Sequence, residues 1–206
     1  MTSQLEYKCT CGLIQGIARD LSPGLASRLV CLCDDCQTFA AFLGRDDLLD
    51  AAGGTDIFQA TPSQLSISSG HEHLACVRLW PNGMLRWYAS CCMTPMGNCL
   101  PQTQAAYVGV PMISLQGSQG AEQVLGPVKY RVNARYARPG VAEAGHQKAP
   151  IVVIFKALLF LLKGWILRRY QPSPFVSPQG IALVAPTILS PEQRKKLAPG
   201  RVATEG

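Results

Sequence analysis

Two hydrophobic rhythms divide this chain. Up to about residue 128 the apolar positions come in short runs cut by turn residues: Pro23-Gly24, Gly53-Gly54, Pro62, Gly70, Pro81-Asn82-Gly83 and Gly97. Leu13 to Ile17 is one such run. Gln64-Leu65-Ser66-Ile67-Ser68 alternates polar and apolar, the period of a half-buried strand. The strongest local signal runs from His73 to Ala89. There, Ala75 to Trp80 and Met84 to Tyr88 flank Pro81-Asn82-Gly83, which predicts a hairpin. Asp46 to Ala52 suits one short helical turn. Short strands at turn-rich intervals predict a mainly β domain over residues 1–128.

The rhythm changes after Lys129, and residues 129–206 read as a basic, partly helical C-terminal extension. Arg131 to Arg138 suits a helix, and Pro139-Gly140 through Pro150 a loop. In Ile151 to Leu167, 14 of 17 residues are apolar and only Lys156, Lys163 and Gly164 interrupt, so one helix is expected. The run falls short of the roughly 20 apolar residues of a membrane span, and two lysines would sit deep in the hydrocarbon. No transmembrane span is predicted. Lysines seven apart share one helical stripe, which is expected to face solvent while the apolar faces pack on the β domain. A homodimer through 151–169 and a helix lying in a membrane surface are the alternatives, the latter because Arg168 and Arg169 follow directly. Pro172, Pro174 and Pro178 break the helix. Ser190-Pro191-Glu192-Gln193 predicts another helix start. The last residues are expected to fray.

Composition narrows the class. The chain is 48% hydrophobic and 16% charged, which allows a core and excludes a disordered polyelectrolyte. The net charge of +6 conceals a split. Residues 1–128 hold 6 Lys/Arg against 10 Asp/Glu, and residues 129–206 hold 13 against 3. The basic part suits an anionic partner or simply solubility. It lacks the aromatic-rich basic groove of a nucleic-acid site, so no nucleic acid is expected. No glycine-rich phosphate loop and no Ser/His/Asp arrangement is readable. Met1 to Glu6 has no basic region followed by an apolar stretch, so no export signal and a cytoplasmic location are expected.

Cysteine supplies the chemistry. Nine cysteines cannot all pair within one chain, and reduced thiols or thiolates on metal are expected rather than disulfides. They cluster as Cys9-Thr10-Cys11-Gly12, Cys31-Leu32-Cys33-Asp34-Asp35-Cys36 and Cys91-Cys92. Cysteines two and three residues apart can aim several sulfurs at one small volume, which suits Zn²⁺. Three sulfurs in one run leave an open position on a four-coordinate ion. Cys76, in an expected strand, reads as a small buried hydrophobe. His71 and His73 read as loop histidines, and His146 lies in a Gly-rich loop. Asp34 and Asp35 read as solvated or as caps of nearby amides, with one of them a possible proton acceptor.

The order of these elements, closed by Arg86-Trp87-Tyr88-Ala89-Ser90-Cys91-Cys92-Met93-Thr94-Pro95, resembles the glutathione-dependent formaldehyde-activating enzymes, the family that includes centromere protein V. The resemblance covers roughly residues 6 to 100. It implies a β-tent of small antiparallel sheets with two zinc sites. Cys9, Cys11 and Cys92 match structural ligands, and Cys31, Cys33 and Cys36 match the catalytic thiolates. The family's Cys-x-x-Cys-Gly would place cysteine at 89 and glycine at 93, where this chain has Ala89 and Met93. Cys91 is the nearest substitute for the missing ligand, and Cys99, Cys76, His71 or His73 are others. The implied activity is a carbon–sulfur lyase reaction joining a small thiol such as glutathione to an aldehyde, formaldehyde in the family. The alternative is a non-catalytic, zinc-stabilised binding module for a membrane surface or a protein.

Overall fold

The turn residues of the first half separate strands that assemble into two sheets. The computed structural model describes residues 4–22, 28–101, 105–116, 120–141 and 145–199. The expected turn at Pro23-Gly24, residues 1–3, part of the loop expected over 139–150 and the C-terminal residues after 199 lie outside that set.

The smaller sheet contains β1 (Gln4–Lys8), β2 (Gln15–Arg19), β5 (Leu65–Ser69) and β10 (Leu115–Gln116), in the order β10-β1-β2-β5. The larger one adds β3 (Leu29–Cys31), β4 (Thr55–Ala60), β6 (Leu74–Arg78), β7 (Leu85–Ala89), β8 (Thr94–Cys99), β9 (Val108–Pro111), β11 (Tyr130–Val132) and β12 (Thr187–Ile188). Its order is β11-β3-β4-β9-β8-β7-β6-β12. Neighbours are antiparallel except at the two ends, where β11 runs parallel to β3 and β12 parallel to β6. The helices are α1 (Asp34–Leu43), α2 (Ala121–Leu125), α3 (Ile151–Ile166) and α4 (Pro191–Leu197). The mainly β class expected from the sequence is the one observed.

The hairpin read around Pro81-Asn82-Gly83 is β6–β7, with Val77 opposite Arg86 and the Gly83 amide bonded to the Trp80 carbonyl. The two sheets share a core. Tyr7 of β1 is fully buried and donates its hydroxyl to the Met96 carbonyl of β8 at 2.7 Å. Trp87 stacks on Phe175 with ring centroids 5.1 Å apart. Gly97 makes room for that stack, since a side chain there would press on Phe175 and Val108.

Two expectations need correcting. Arg131 to Arg138 is not helical. Its start is committed to the parallel ladder with β3, and Asn133, in the left-handed region at φ +64°, turns the chain into a single 3-10 turn over Ala134–Tyr136. The lysine stripe of α3 is also split: Lys163 is exposed as expected, but Lys156 is not. Lys156 points inward, its ammonium 3.2 Å from the Tyr130 hydroxyl and over that ring, together with Val153, Ala157, Phe160 and Gly164. Gly164 is buried against Ala106, where a side chain would collide. The tight fit at Gly164 and the Lys156–Tyr130 contact set the rotation of the helix and turn most of its large apolar side chains outward. Among the described residues no helix is long and apolar enough to cross a membrane.

Candidate metal centres

Each of the nine cysteines is a free thiol, and seven of them gather in two places. At the first, Cys9, Cys11, Cys91 and Cys92 bring their sulfurs within 4.8 Å of one another. Cys9 directly follows β1, and the chain turns at Gly12, φ +78°, which presents Cys11 beside it. Adjacent Cys91 and Cys92 reach the same point because the β7–β8 turn is tight, with Met93 at φ +54°. The Sγ separations are 3.5 Å for Cys9–Cys11, 3.3 Å for Cys11–Cys91, 4.0 Å for Cys9–Cys91 and 3.8 Å for Cys91–Cys92. A tetrahedron with Zn–S of about 2.3 Å has sulfurs about 3.8 Å apart, so these four fit one ion. Of the substitutes considered for the missing ligand, Cys91 joins the cluster. Cys76 and Cys99 are buried in the core, where Cys99 accepts the Trp87 indole N–H at 3.2 Å. His71 and His73 form a 3-10 turn before β6.

The surroundings also suit bound charge. The Ile14 amide donates to Cys9 Sγ at 3.3 Å, and Thr94 Oγ1 lies 3.1 Å from Cys92 Sγ. Burial pushes the Cys92 thiol up, but hydrogen bonds with Thr94, Thr10 and Cys11 outweigh it and hold the group at about 5. Burial and the neighbouring thiols push Cys9 and Cys91 up.

The second place holds Cys31, Cys33 and Cys36, again with sulfurs within 4.8 Å. Cys31 is the last residue of β3, Cys33 caps the N-terminus of α1 and Cys36 lies in its first turn. The helix start places two thiols at the positive end of a peptide dipole, which favours thiolates. Hydrogen bonds with Cys33 and Cys36 hold the Cys31 thiol well below its ordinary value. The contact with Cys31, and then burial, push Cys33 up to about 11, and contacts with Cys31 and Cys33 raise Cys36. Negative charge on Cys31 opposes the loss of further protons from Cys33 and Cys36. A dication at the centre removes that opposition.

The triad is framed by residues the sequence did not single out. Asn133 Nδ2 reaches Cys31 Sγ at 3.6 Å. Gln37, buried, donates to the carbonyls of Leu32 at 2.8 Å and Tyr136 at 2.7 Å. Asp34 and Asp35 are not solvated as expected. Arg194 of α4 bridges them at 2.8 and 2.6 Å and lies over the Trp80 ring. His146 takes no part. Its backbone bridges Val132, and its side chain is exposed.

The three thiols line a cavity of about 390 Å³. Leu29, Ile57, Met84 and Val132 form apolar walls, and α3 closes one side with Val153, Ile154, Ala157 and Leu158. Arg86, Asn98 and Tyr107 supply polar atoms. Burial, and then the thiols of Cys31 and Cys36, push the Tyr107 phenol far above its ordinary value, so it keeps its proton. Tyr107 and Asn98 carry no spacing signal, since only the folded sheet brings them to the cysteines. Arg86 was part of the basic-aromatic strand read in the sequence.

Comparison with known proteins adds a family and little chemistry. A family model described as a family of unknown function, DUF6151, matches residues 1–185. No curated protein matches the chain. A crystal structure of a Rhodobacter sphaeroides protein, a Northeast Structural Genomics target, is similar at 20% identity and a TM-score of 0.42, over 60% of this chain and 96% of that one.

Proposed function

We propose that this chain, which belongs to the DUF6151 family of unknown function, uses Cys31, Cys33 and Cys36 to hold a zinc ion for the reversible addition of a thiol to an aldehyde, while Cys9, Cys11, Cys91 and Cys92 hold a structural zinc. One observation carries the reading. Four thiols converge at one site and three at the other, and the three line a cavity of about 390 Å³. Four ligands close a tetrahedral ion, whereas three leave a position for a reactant.

A zinc ion there would supply Lewis acidity toward a carbonyl oxygen and ease the ionisation of a reacting thiol. The residues around it do the rest. In the forward direction the substrate sulfur bonds to the aldehyde carbon, the carbonyl π pair moves onto oxygen, and the thiol proton ends on that oxygen. Tyr107, held protonated beside the thiols, is placed to donate to the developing alkoxide, and Asn98 offers an amide on the same wall. The apolar lining from α3 and Met84 favours a reactant with an apolar substituent over glutathione itself. The reaction is the one the resemblance to formaldehyde-activating enzymes implies.

The test is exchange NMR between free thiols and their formaldehyde adducts, measured against the spontaneous rate for glutathione and for short alkanethiols. Zinc-loaded protein is expected to accelerate exchange, and Cys31→Ser with Cys33→Ser and Cys36→Ser to abolish the gain. No acceleration with any thiol, at full zinc content, would refute the proposal.

A further inference from the structure

Most of the outer face of α3 lies away from both cysteine sites, with Leu158 alone of its apolar strip reaching the rim of the thiol cavity. Ile151 is 86% exposed, Phe155 60%, Leu162 53% and Ile166 63%, and Leu158 and Trp165 are similarly open. Positions 151, 155, 158, 162 and 166 follow helical spacing, so they make one continuous apolar strip. Single exposed apolar residues are ordinary, but a strip of this kind marks an interaction surface.

Charge decides what covers it. From residue 145 to residue 191 the chain has no Asp or Glu, and it carries Lys148, Lys156, Lys163, Arg168 and Arg169. A second copy packed through α3 would bring basic ends together in either orientation, with no acidic side chain of that stretch to meet them. An anionic lipid surface meets the same arrangement favourably. The apolar strip enters the boundary between headgroups and acyl chains, and Arg168 and Arg169, exposed at the helix end, meet phosphates. A helix of 16 residues is about 24 Å long, enough to lie along a bilayer surface.

We propose that α3 is a docking helix that seats this protein on bilayers containing anionic lipids. The inward face of the same helix walls the thiol cavity through Val153 and Ala157, so docking sets that cavity beside the lipid surface. The docking proposal stands on the helix alone and does not depend on the chemistry at the cysteines.

Flotation of the full chain with vesicles tests it. Vesicles of equal parts phosphatidylcholine and phosphatidylglycerol are expected to carry the protein upward, and phosphatidylcholine alone to do so far less. Arg168→Gln with Arg169→Gln should weaken partitioning by roughly thirtyfold, from the usual contribution of a basic residue near an anionic surface. Phe155→Glu with Leu162→Glu should abolish flotation with the circular dichroism spectrum unchanged. If that pair misfolds, the arginine pair, on exposed positions, still decides. Wild-type protein that fails to float with mixed vesicles, or floats equally with neutral ones, would overturn the proposal. So would variants that float like the wild type. A dimer in sedimentation equilibrium that Phe155→Glu with Leu162→Glu turns into monomer, without vesicle binding, would assign the strip to self-association instead.

Discussion

Replacing Phe175 with alanine asks whether the basic C-terminal third belongs to the β core or merely adjoins it. The side chain is fully buried, stacks on Trp87 at 5.1 Å between ring centroids and fills the space left by Gly97. Nothing polar could take its place without leaving the Trp87 face bare. Truncating a buried Phe to Ala costs about 3–5 kcal/mol, through lost transfer energy and the cavity left behind. The aromatic stack places the expected value in the upper half, since such pairs add about 0.5–1.5 kcal/mol. At ~2–4 °C of midpoint per kcal/mol for a chain of this size, the shift is roughly 8–20 °C. Urea unfolding and calorimetry on zinc-loaded protein measure both quantities, with zinc content checked before and after. A loss below about 1 kcal/mol, the range of surface substitutions, would refute the packing argument. It would mean that the segment around residue 175 is a detachable appendage.

Other outcomes are equally specific. In chelator-treated protein, Cys92, held at about 5, is a thiolate at pH 6, whereas Cys91 and Cys9 are raised and stay protonated. Brief alkylation at pH 6 should therefore label Cys92 ahead of Cys91 and Cys9, read by peptide mass spectrometry, and zinc should protect it; equal labelling of Cys91 and Cys92 would contradict the geometry. Gly164→Leu should push α3 off Ala106 and speed amide hydrogen exchange over 151–166 while leaving β6 to β8 protected. Elemental analysis should find about two zinc ions per chain on four-coordinate and three-coordinate sets of thiolates. The Cys31, Cys33 and Cys36 triple serine variant should lose one of them, and retention of both would remove the triad from the ligand list.

Much of the β architecture was legible because its signals are local. Pro81-Asn82-Gly83 between apolar runs needs no distant partner to declare a hairpin, and Ser190-Pro191 followed by Gln193 forms the capping box its pattern promised. The cysteine runs also announced themselves, since their spacing survives any fold. What stayed hidden depends on contacts across the chain. Val132 looks helical by composition until β3 offers it a ladder. The rotation of α3 cannot be read from two lysines seven apart, because the missing side chain of Gly164 and the Tyr130 hydroxyl settle it. Tyr107 and Asn133 reach the triad from segments 71 or more residues away in sequence, where no motif could point to them.

The frame of the triad has a consequence for how the protein is made. The four-thiol cluster has all its sulfurs once Cys92 has been added, and the strands that carry them, β1, β7 and β8, precede residue 100. The triad, by contrast, leans on residues that come a hundred positions after it. The Leu32 amide bonds the Val132 carbonyl, Asn133 meets Cys31, and Gln37 is tied to Tyr136. A chain stopped at residue 128 would therefore carry all seven clustered cysteines and still lack the scaffold that shapes the triad. During vectorial synthesis the first cluster is expected to seat its ion early. The second is expected to mature only once β11 has emerged and docked, which keeps its three thiols from closing around a metal before the cavity they line exists.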